Sequence, residues 1–221
     1  MYGFELLDKF DTIEFADAKN VRLLDRIETK YVASLNNLSY IIGQLLAEGW
    51  KLQVYNGNIG RNYHNIYYDT YNLDIYNAHA NKEEFRQKVR VRIYKDATYL
   101  EIKEKMRGGK SVKIRKRLKG GIHTRDKWLS KHFRYDYKTL WPVIENEYRR
   151  FTFINGDCTE RVTIDTDIRF HNMVNDNVYL FDEPVIEYKH GEKPSTHLFD
   201  NMEYFTDTGF SKYWDGLKFT K

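Results

Sequence analysis

The sequence predicts an α+β fold built on an antiparallel β-sheet or barrel, with a few helices packed on its apolar side. Three observations predict it. Aromatic residues make up 16% of the 221-residue chain, with 18 Tyr and 13 Phe, a composition that favours strands. Many segments alternate apolar and charged side chains with a period of two. The connections between them are short, and no linker, internal repeat or low-complexity tract divides the chain. A single domain over residues 1–221 is therefore expected.

From the N terminus, residues 4–15 read as a short amphipathic helix with Phe4, Leu7, Phe10 and Phe15 on its apolar side. RIETKYVAS (26–34) alternates like a strand. Residues 37–48 are helical, because Leu38, Ile41, Ile42, Leu45 and Leu46 follow the i, i+3, i+4, i+7, i+8 spacing. Asn36 or Asn37 caps this helix and Gly49 ends it. Strands are expected over 62–69, 86–95, 98–106, 111–118, 146–154, 160–167 and 178–189. RGGK (107–110) forms a hairpin loop, and Asn175-Asp176-Asn177 another turn. Helices over 124–133 and 195–206 complete the chain. The second has Leu198, Phe199, Met202 and Phe205 on one face, with Pro194 and Ser195 at its start.

The strands share an unusual polar face. Successive strand side chains point to opposite sides of a sheet. In RQKVRVRIY, Lys88, Arg90 and Arg92 therefore lie together, opposite Val89, Val91 and Ile93. The same rule groups Glu101, Lys103 and Lys105, then Lys113, Arg115 and Arg117, then Arg161, Thr163, Asp165 and Asp167. It also groups Glu187 with Lys189, and Arg26 with Glu28 and Lys30. An ordinary solvated sheet alternates in this way too. Here, though, the polar faces hold few Ser, Thr or Gln, and basic residues outnumber acids. The helices are available to cover the apolar faces. A barrel with a charged lumen fits these features. Such a lumen requires counter-charge, because like charges at close range repel strongly. A phosphate chain with a divalent cation supplies it.

Other properties exclude classes. Net charge is only +4, yet residues 86–119 hold fourteen Lys or Arg and three acids, a block that calls for solvent or a polyanion. Cys158 is the only cysteine, which excludes an intrachain disulfide and a cysteine-rich zinc site. The start, MYGFELLDKFDTIEF, carries acids inside its apolar pattern and does not read as a secretory signal. No apolar run approaches the roughly 18 residues of a membrane span. The expectation is a cytoplasmic protein with no direct membrane insertion.

Nine stretches, in order, carry a family resemblance. They are RIETKYVAS (26–34), NIYYDT (65–70), IYNAHAN (75–81), KVRVRIY (88–94), YLEIKEK (99–105), KSVKIRKRL (110–118), ERVTID (160–165), VIEYK (185–189) and FSKYWDGL (210–217). Together they resemble the VTC domain, the polyphosphate polymerase domain of the triphosphate tunnel (CYTH-like) superfamily. The resemblance implies an antiparallel eight-stranded β tunnel, closed around a charged lumen, with helices packed outside. It implies a phosphotransferase that moves the terminal phosphoryl of ATP onto a polyphosphate chain, using a divalent cation, Mn²⁺ or Mg²⁺. Its partners would be ATP, polyphosphate, triphosphate or orthophosphate.

By position, the resemblance implies a phosphate-binding set of Lys30, Arg90, Arg92, Lys103, Lys113, Arg161 and Lys212. Arg90, Arg92, Lys103 and Arg161 are its expected catalytic members. Lys88, Lys105, Arg115 and Lys189 share the same strand faces and join the expected phosphate-binding residues. Glu187 is the implied metal-binding carboxylate, with Glu28 and Glu101 as helpers. His79 falls in a variable loop of the family and reads as a surface or packing histidine. Hydrolytic members of the superfamily open with Glu-x-Glu-x-Lys, whereas this chain reads Arg26-Ile27-Glu28-Thr29-Lys30. An arginine cannot ligate a divalent cation, so this departure favours the polymerase branch. Two alternatives remain open: hydrolysis of an inorganic or organic triphosphate, and a non-catalytic module that binds polyphosphate or inositol phosphates. No nucleic acid is expected, because on these strands the basic face carries Tyr94 and Tyr99 only at strand ends, rather than the interleaved aromatics of a nucleic-acid sheet.

Overall fold

The computed structural model describes residues 3–20, 27–109, 111–200, 206–207 and 209–221. In chain order, its first elements are β1 (Thr12–Glu14), β2 (Ile27–Val32), α1 (Leu35–Ala47), β3 (Lys51–Tyr55), β4 (Asn58–Ile59), β5 (Arg61–Asp69) and α2 (Asp74–Ala80). Then come β6 (Arg86–Ile93), β7 (Thr98–Lys105), β8 (Ser111–Leu118), α3 (Asp126–His132) and β9 (Trp141–Ile154). The last are β10 (Arg161–Asn172), β11 (Val178–Phe181), β12 (Val185–His190), β13 (Thr206–Asp207) and α4 (Trp214–Phe219). The chain divides into two compact units: Met1–Asn62 with Tyr148–Ile168 and Phe181–Phe210, and Tyr63–Glu147 with Arg169–Leu180 and Ser211–Lys221.

In the first unit the strand order is β13-β2-β12-β10-β9, and β3 joins β9, β1 and β4. Pairing is antiparallel except between β1 and β3. Helix α1 forms as its spacing demands. The Ser34 hydroxyl accepts a bond from the Asn37 amide at 3.3 Å, so the cap lies two or three residues earlier than the expected Asn36 or Asn37. Leu38, Ile41, Ile42 and Leu45 are fully buried and pack with Leu52, Phe151, Phe153, Val162, Ile164, Ile186 and Tyr188. Each such aliphatic side chain contributes about 1.5–3 kcal/mol on burial. Val162 and Ile164 alternate with Arg161, Thr163 and Asp165, so apolar packing on one face fixes the charged residues on the other.

In the second unit the order is β9-β5-β6-β7-β8, with β11 on β10. Val89, Val91, Leu100 and Ile102 are buried on one face. Strand β8 is exposed on both faces from Ser111 to Arg117, Ile114 alone being half-buried. That is how an edge strand behaves. Across the molecule the hydrogen-bonded order begins at β13 and ends at β8, so among the described residues it has two ends and does not form the expected ring of eight.

Several expected elements differ. Residues 4–15 split into a 3-10 turn, Phe4–Lys9, and strand β1. Leu7 and Phe10 still enter the core, but β-branched Thr12 and Ile13 pair in register with Leu52 and Gln53. The expected 178–189 strand breaks at 182–184 into β11 and β12. Residues 195–200 are not helical, and the rest of the expected 195–206 helix lies largely outside the described residues, as does Arg26. Helix α2 was not foreseen. It is capped from a distance, because the buried Asp69 carboxylate accepts the amides of Thr70, Ile75 and Tyr76 and the Tyr213 hydroxyl.

Candidate functional site

Each unit carries one charged sheet face. In the second unit, strand register stacks the residues into three rungs. The first is Asn65-Arg92-Tyr99-Arg117, the second Tyr67-Arg90-Glu101-Arg115, and the third Lys88-Lys103-Lys113. Lys105 continues the face, opposite Arg86 and Ser111. The expected residues Lys88, Arg90, Arg92, Lys103, Lys105, Lys113 and Arg115 thus share one face.

Glu101 anchors this face. It is only 2% exposed. Its Oε2 accepts Arg90 Nε and Nη2 at 2.8 and 2.6 Å, and its Oε1 faces Lys113 Nζ at 3.0 Å. Burial pushes this carboxyl up, but Arg90, Arg92 and Lys113 together pull it down to about 2. Both oxygens are therefore occupied by cations. The Lys113 side chain is partly exposed, yet its amine lies below its usual value, because desolvation at the buried Glu101 and repulsion from Arg90 and Arg92 outweigh the attraction of Glu101.

Arg92 is fixed differently. Its Nε donates to Asn65 Oδ1 at 2.8 Å, and Asn65 Nδ2 donates to Asn146 Oδ1 at 2.9 Å. The guanidinium lies over the Tyr63 ring, 4.9 Å from its centre. All three polar residues of this chain are buried. Arg90 Nη1 also donates to the Tyr67 hydroxyl at 3.2 Å. Burial pushes that phenol up, but Arg90, Arg92 and Lys212 bring it below its ordinary value. Lys88 Nζ donates to Ser211 Oγ at 2.8 Å. Arg115 stacks on Tyr99 at 4.9 Å. Tyrosines from β5 and β7 thus interleave with the arginines, more than the sequence alone revealed. His79 packs its ring against Trp214, a packing role.

In the first unit the register gives Arg161-Lys189-Glu28 and Thr163-Glu187-Lys30. Here signs alternate. Lys189 Nζ contacts Glu187 Oε1 and lies 3.7 Å from Glu28 Oε2. Lys30 Nζ lies 3.9 Å from Glu28 Oε1 and donates to the Phe210 carbonyl at 3.2 Å. Burial pushes the Glu187 carboxyl up, but Lys189, Lys30 and Arg150 hold it well below the usual carboxylate range. Arg150 grips Asp165 through Nε–Oδ1 and Nη2–Oδ2 bonds of 2.5 and 2.7 Å.

Among the described residues no three His, Cys, Asp or Glu side chains gather as a ready-made metal centre. Glu28 and Glu187, however, border one ammonium group from two sides. A hard divalent cation held largely by substrate oxygens needs only one or two carboxylates, so this pair fits such an ion.

Sequence reasoning did not single out Asn65, Tyr67, Asn146, Arg150 or Ser211. Asn65 and Tyr67 do lie at alternating positions of NIYYDT, and Asn146 and Arg150 at alternating positions of NEYRRFTFI. That alternation was their only signal.

No curated protein matches significantly. Among solved structures, a Hippeastrum protein described as a proposed adenylyl cyclase with a dominant triphosphatase activity is 13% identical. Its match covers 89% of this chain and 96% of that one, with a TM-score of 0.51. A proposed adenylate cyclase from Vibrio parahaemolyticus is 12% identical over 87% of this chain and 97% of its own, with a TM-score of 0.48. One from Bacillus halodurans is 14% identical over 76% and 81%, also with a TM-score of 0.48. At such identity the Hippeastrum likeness shows a common fold. Over residues 25–221 the sequence matches the VTC domain, and with nearly the whole chain covered, the protein belongs to the VTC domain family.

Proposed function

We propose that the protein moves the terminal phosphoryl group of ATP onto a phosphate chain. The observation that carries this reading is the three-rung face, on which seven cations lie in register with one buried carboxylate. Phosphoryl transfer asks for positioning and charge neutralisation more than covalent chemistry by the protein. Arginine forks bind two phosphate oxygens at once, while lysines act as point charges. Arg90 and Arg92 are held at Nε by Glu101 and Asn65, which preorganises both guanidiniums before substrate arrives. Lys88, Lys103 and Lys113 extend the same face along the strands, and Tyr67 adds a hydroxyl. Lys105, Arg115, Arg161, Lys189 and Lys212 are assigned to phosphate binding by their positions. Glu101 is assigned to anchoring Arg90 and Lys113.

Glu187, with Glu28 beside it, would hold the divalent cation, which supplies charge neutralisation at phosphate oxygens. Lys189, Lys30 and Arg150 hold the Glu187 carboxyl well below the usual carboxylate range. The remaining chemistry is orientation of two anionic reactants, whose mutual repulsion the basic face offsets.

Hydrolysis of a triphosphate is the second reading, favoured by the activity described for the Hippeastrum protein. One experiment separates the two. The purified protein is incubated with ATP and Mn²⁺ and the products are resolved on a gel, with orthophosphate release from tripolyphosphate measured in parallel. Polymer formation supports transfer, and orthophosphate release without polymer overturns it in favour of hydrolysis.

A further inference from the structure

The second unit holds another basic surface, on the other side of strand β8. Alternation turns Lys116 away from Lys113, Arg115 and Arg117, and the register places it opposite the buried Leu100. Beyond β8 the chain makes a 3-10 turn, Ile122–Arg125, and enters α3. Between these elements lies an open groove of about 610 Å³, lined by Lys116, Arg125, Lys127, Trp128, Lys131 and His132 among others.

The groove is built, and its charge is unbalanced. Arg125 Nε and Nη2 donate to the Arg117 carbonyl at 3.1 and 2.8 Å, tying the end of β8 to the start of α3. That uses two of the five guanidinium N–H groups. Trp128 packs against His132, 5.0 Å between ring centres, and forms a half-buried wall. Asp126 is the only acid lining the groove, and it is paired with His123 at 3.3 Å. Lys127 and Lys131 lie one turn apart on α3, a like-charge spacing that destabilises a helix. Neither they nor Lys116 form an ion pair among the described residues. Nothing in the fold requires this crowding, and a bound polyanion would relieve it.

We propose that this groove is a second binding site, an exosite for a linear inorganic polyphosphate chain. The identity of the occupant rests on the phosphate-chain reading of the arginine face. Basic groups from three successive elements line an open trough, which suits an extended polyanion. Exposed lysines each contribute little, so only a ligand that meets several of them gains measurable affinity. A triphosphate is too short for this. The single aromatic wall already packs on His132, which disfavours base stacking and hence a nucleic acid.

The test compares long-chain polyphosphate with tripolyphosphate. Binding of each is measured by titration calorimetry on the intact protein, on Lys116→Ala/Lys127→Ala/Lys131→Ala, and on Arg92→Ala. The triple variant should lose about tenfold in long-chain affinity, with a log–log salt dependence shallower by about two. Its affinity for tripolyphosphate should be unchanged, which also reports that the fold is intact. Unchanged long-chain binding overturns the exosite, and so does an equal loss for both ligands. Tighter competition by single-stranded RNA of equal charge overturns its occupant. Arg92→Ala examines the arginine face separately. If it leaves tripolyphosphate binding intact, the proposed function fails, while a selective long-chain loss in the triple variant still establishes the groove.

Discussion

The two charged faces are built on the same strand alternation but balance their charge in opposite ways. In the first unit, Lys30, Arg150, Arg161 and Lys189 meet Glu28, Asp165 and Glu187, so most charges find an opposite neighbour. In the second, the three rungs hold seven cations and, among the residues in register on them, one carboxylate, Glu101. The first face is close to self-neutral, and it suits a residue that must stay ionised to hold a cation. The second has a surplus of positive charge that suits an anionic ligand. This difference predicts that removing a charge has distinct consequences on each face.

The largest effect should come where the surplus is anchored. Arg90→Ala leaves the Glu101 carboxylate buried with Lys113 in contact and Arg92 nearby, but without its guanidinium partner. Breaking one side of a buried ion pair costs about 3–5 kcal/mol. Urea denaturation should show that loss, and Arg90→Ala/Glu101→Gln should recover part of it. If the single variant is as stable as the parent, Glu101 is not an anchor and the contrast between the faces collapses.

Acid sharpens the same point. The Glu101 carboxyl is held at about 2, against 4.5 when unperturbed. A depressed carboxyl contributes stability that is complete above its unfolded value and is lost as pH falls toward its folded one. The difference corresponds to about 3 kcal/mol. Urea midpoints measured from about pH 5 to about pH 2 should fall more steeply in the parent than in Glu101→Gln. Parallel curves would show that this carboxyl does not carry the linkage.

Next in size is the loss of a phosphate ligand. Arg92 is buried and preorganised by Asn65. Its charge-assisted bonds should be worth roughly 1.5–3 kcal/mol, so Arg92→Ala should weaken tripolyphosphate binding about tenfold or more. Arg92→Lys keeps the charge but loses the fork and the bond to Asn65, and should also be impaired. Equal affinity of Arg92→Lys and the parent would reduce Arg92 to a generic charge.

Much of this was legible in the sequence, and the rest was hidden for identifiable reasons. Period-two alternation placed Lys88, Arg90, Arg92, Lys103 and Lys113 on one face, and the register agrees. Alternation could not say which residues stand opposite each other. The Arg90-Glu101 and Arg92-Asn65 contacts cross between strands, so they became visible only with register. Arg150 was obscured by its neighbour Arg149, since either could face inward. Helix α2 has Leu73 in a left-handed conformation at its cap and takes its caps from Asp69 and Thr70 further upstream, so the residue at the cap position itself gives no start signal. The expected helix at 4–15 failed because Thr12–Glu14 found a strand partner in β3, a tertiary gain that outweighs apolar spacing.

The smallest binding effect should come from the balanced face. Glu187 lies against Lys189, with Lys30 and Arg150 also close enough to lower its carboxyl. Glu187→Gln nearly preserves shape while removing the negative charge. It releases Lys189 from its partner and leaves the arginine face untouched in composition. Tripolyphosphate affinity without metal should therefore change by no more than about 1 kcal/mol. Turnover should nevertheless be lost, because the amide is a far weaker ligand for a hard cation than the carboxylate. The measurement is a pair of titrations, tripolyphosphate with and without Mn²⁺, run beside a turnover assay. Retained turnover would make Glu187 a structural partner of Lys189. A large loss of metal-free affinity would mean that the alternating charges of the first unit serve phosphate binding directly, and the division of labour between the two faces would have to be abandoned.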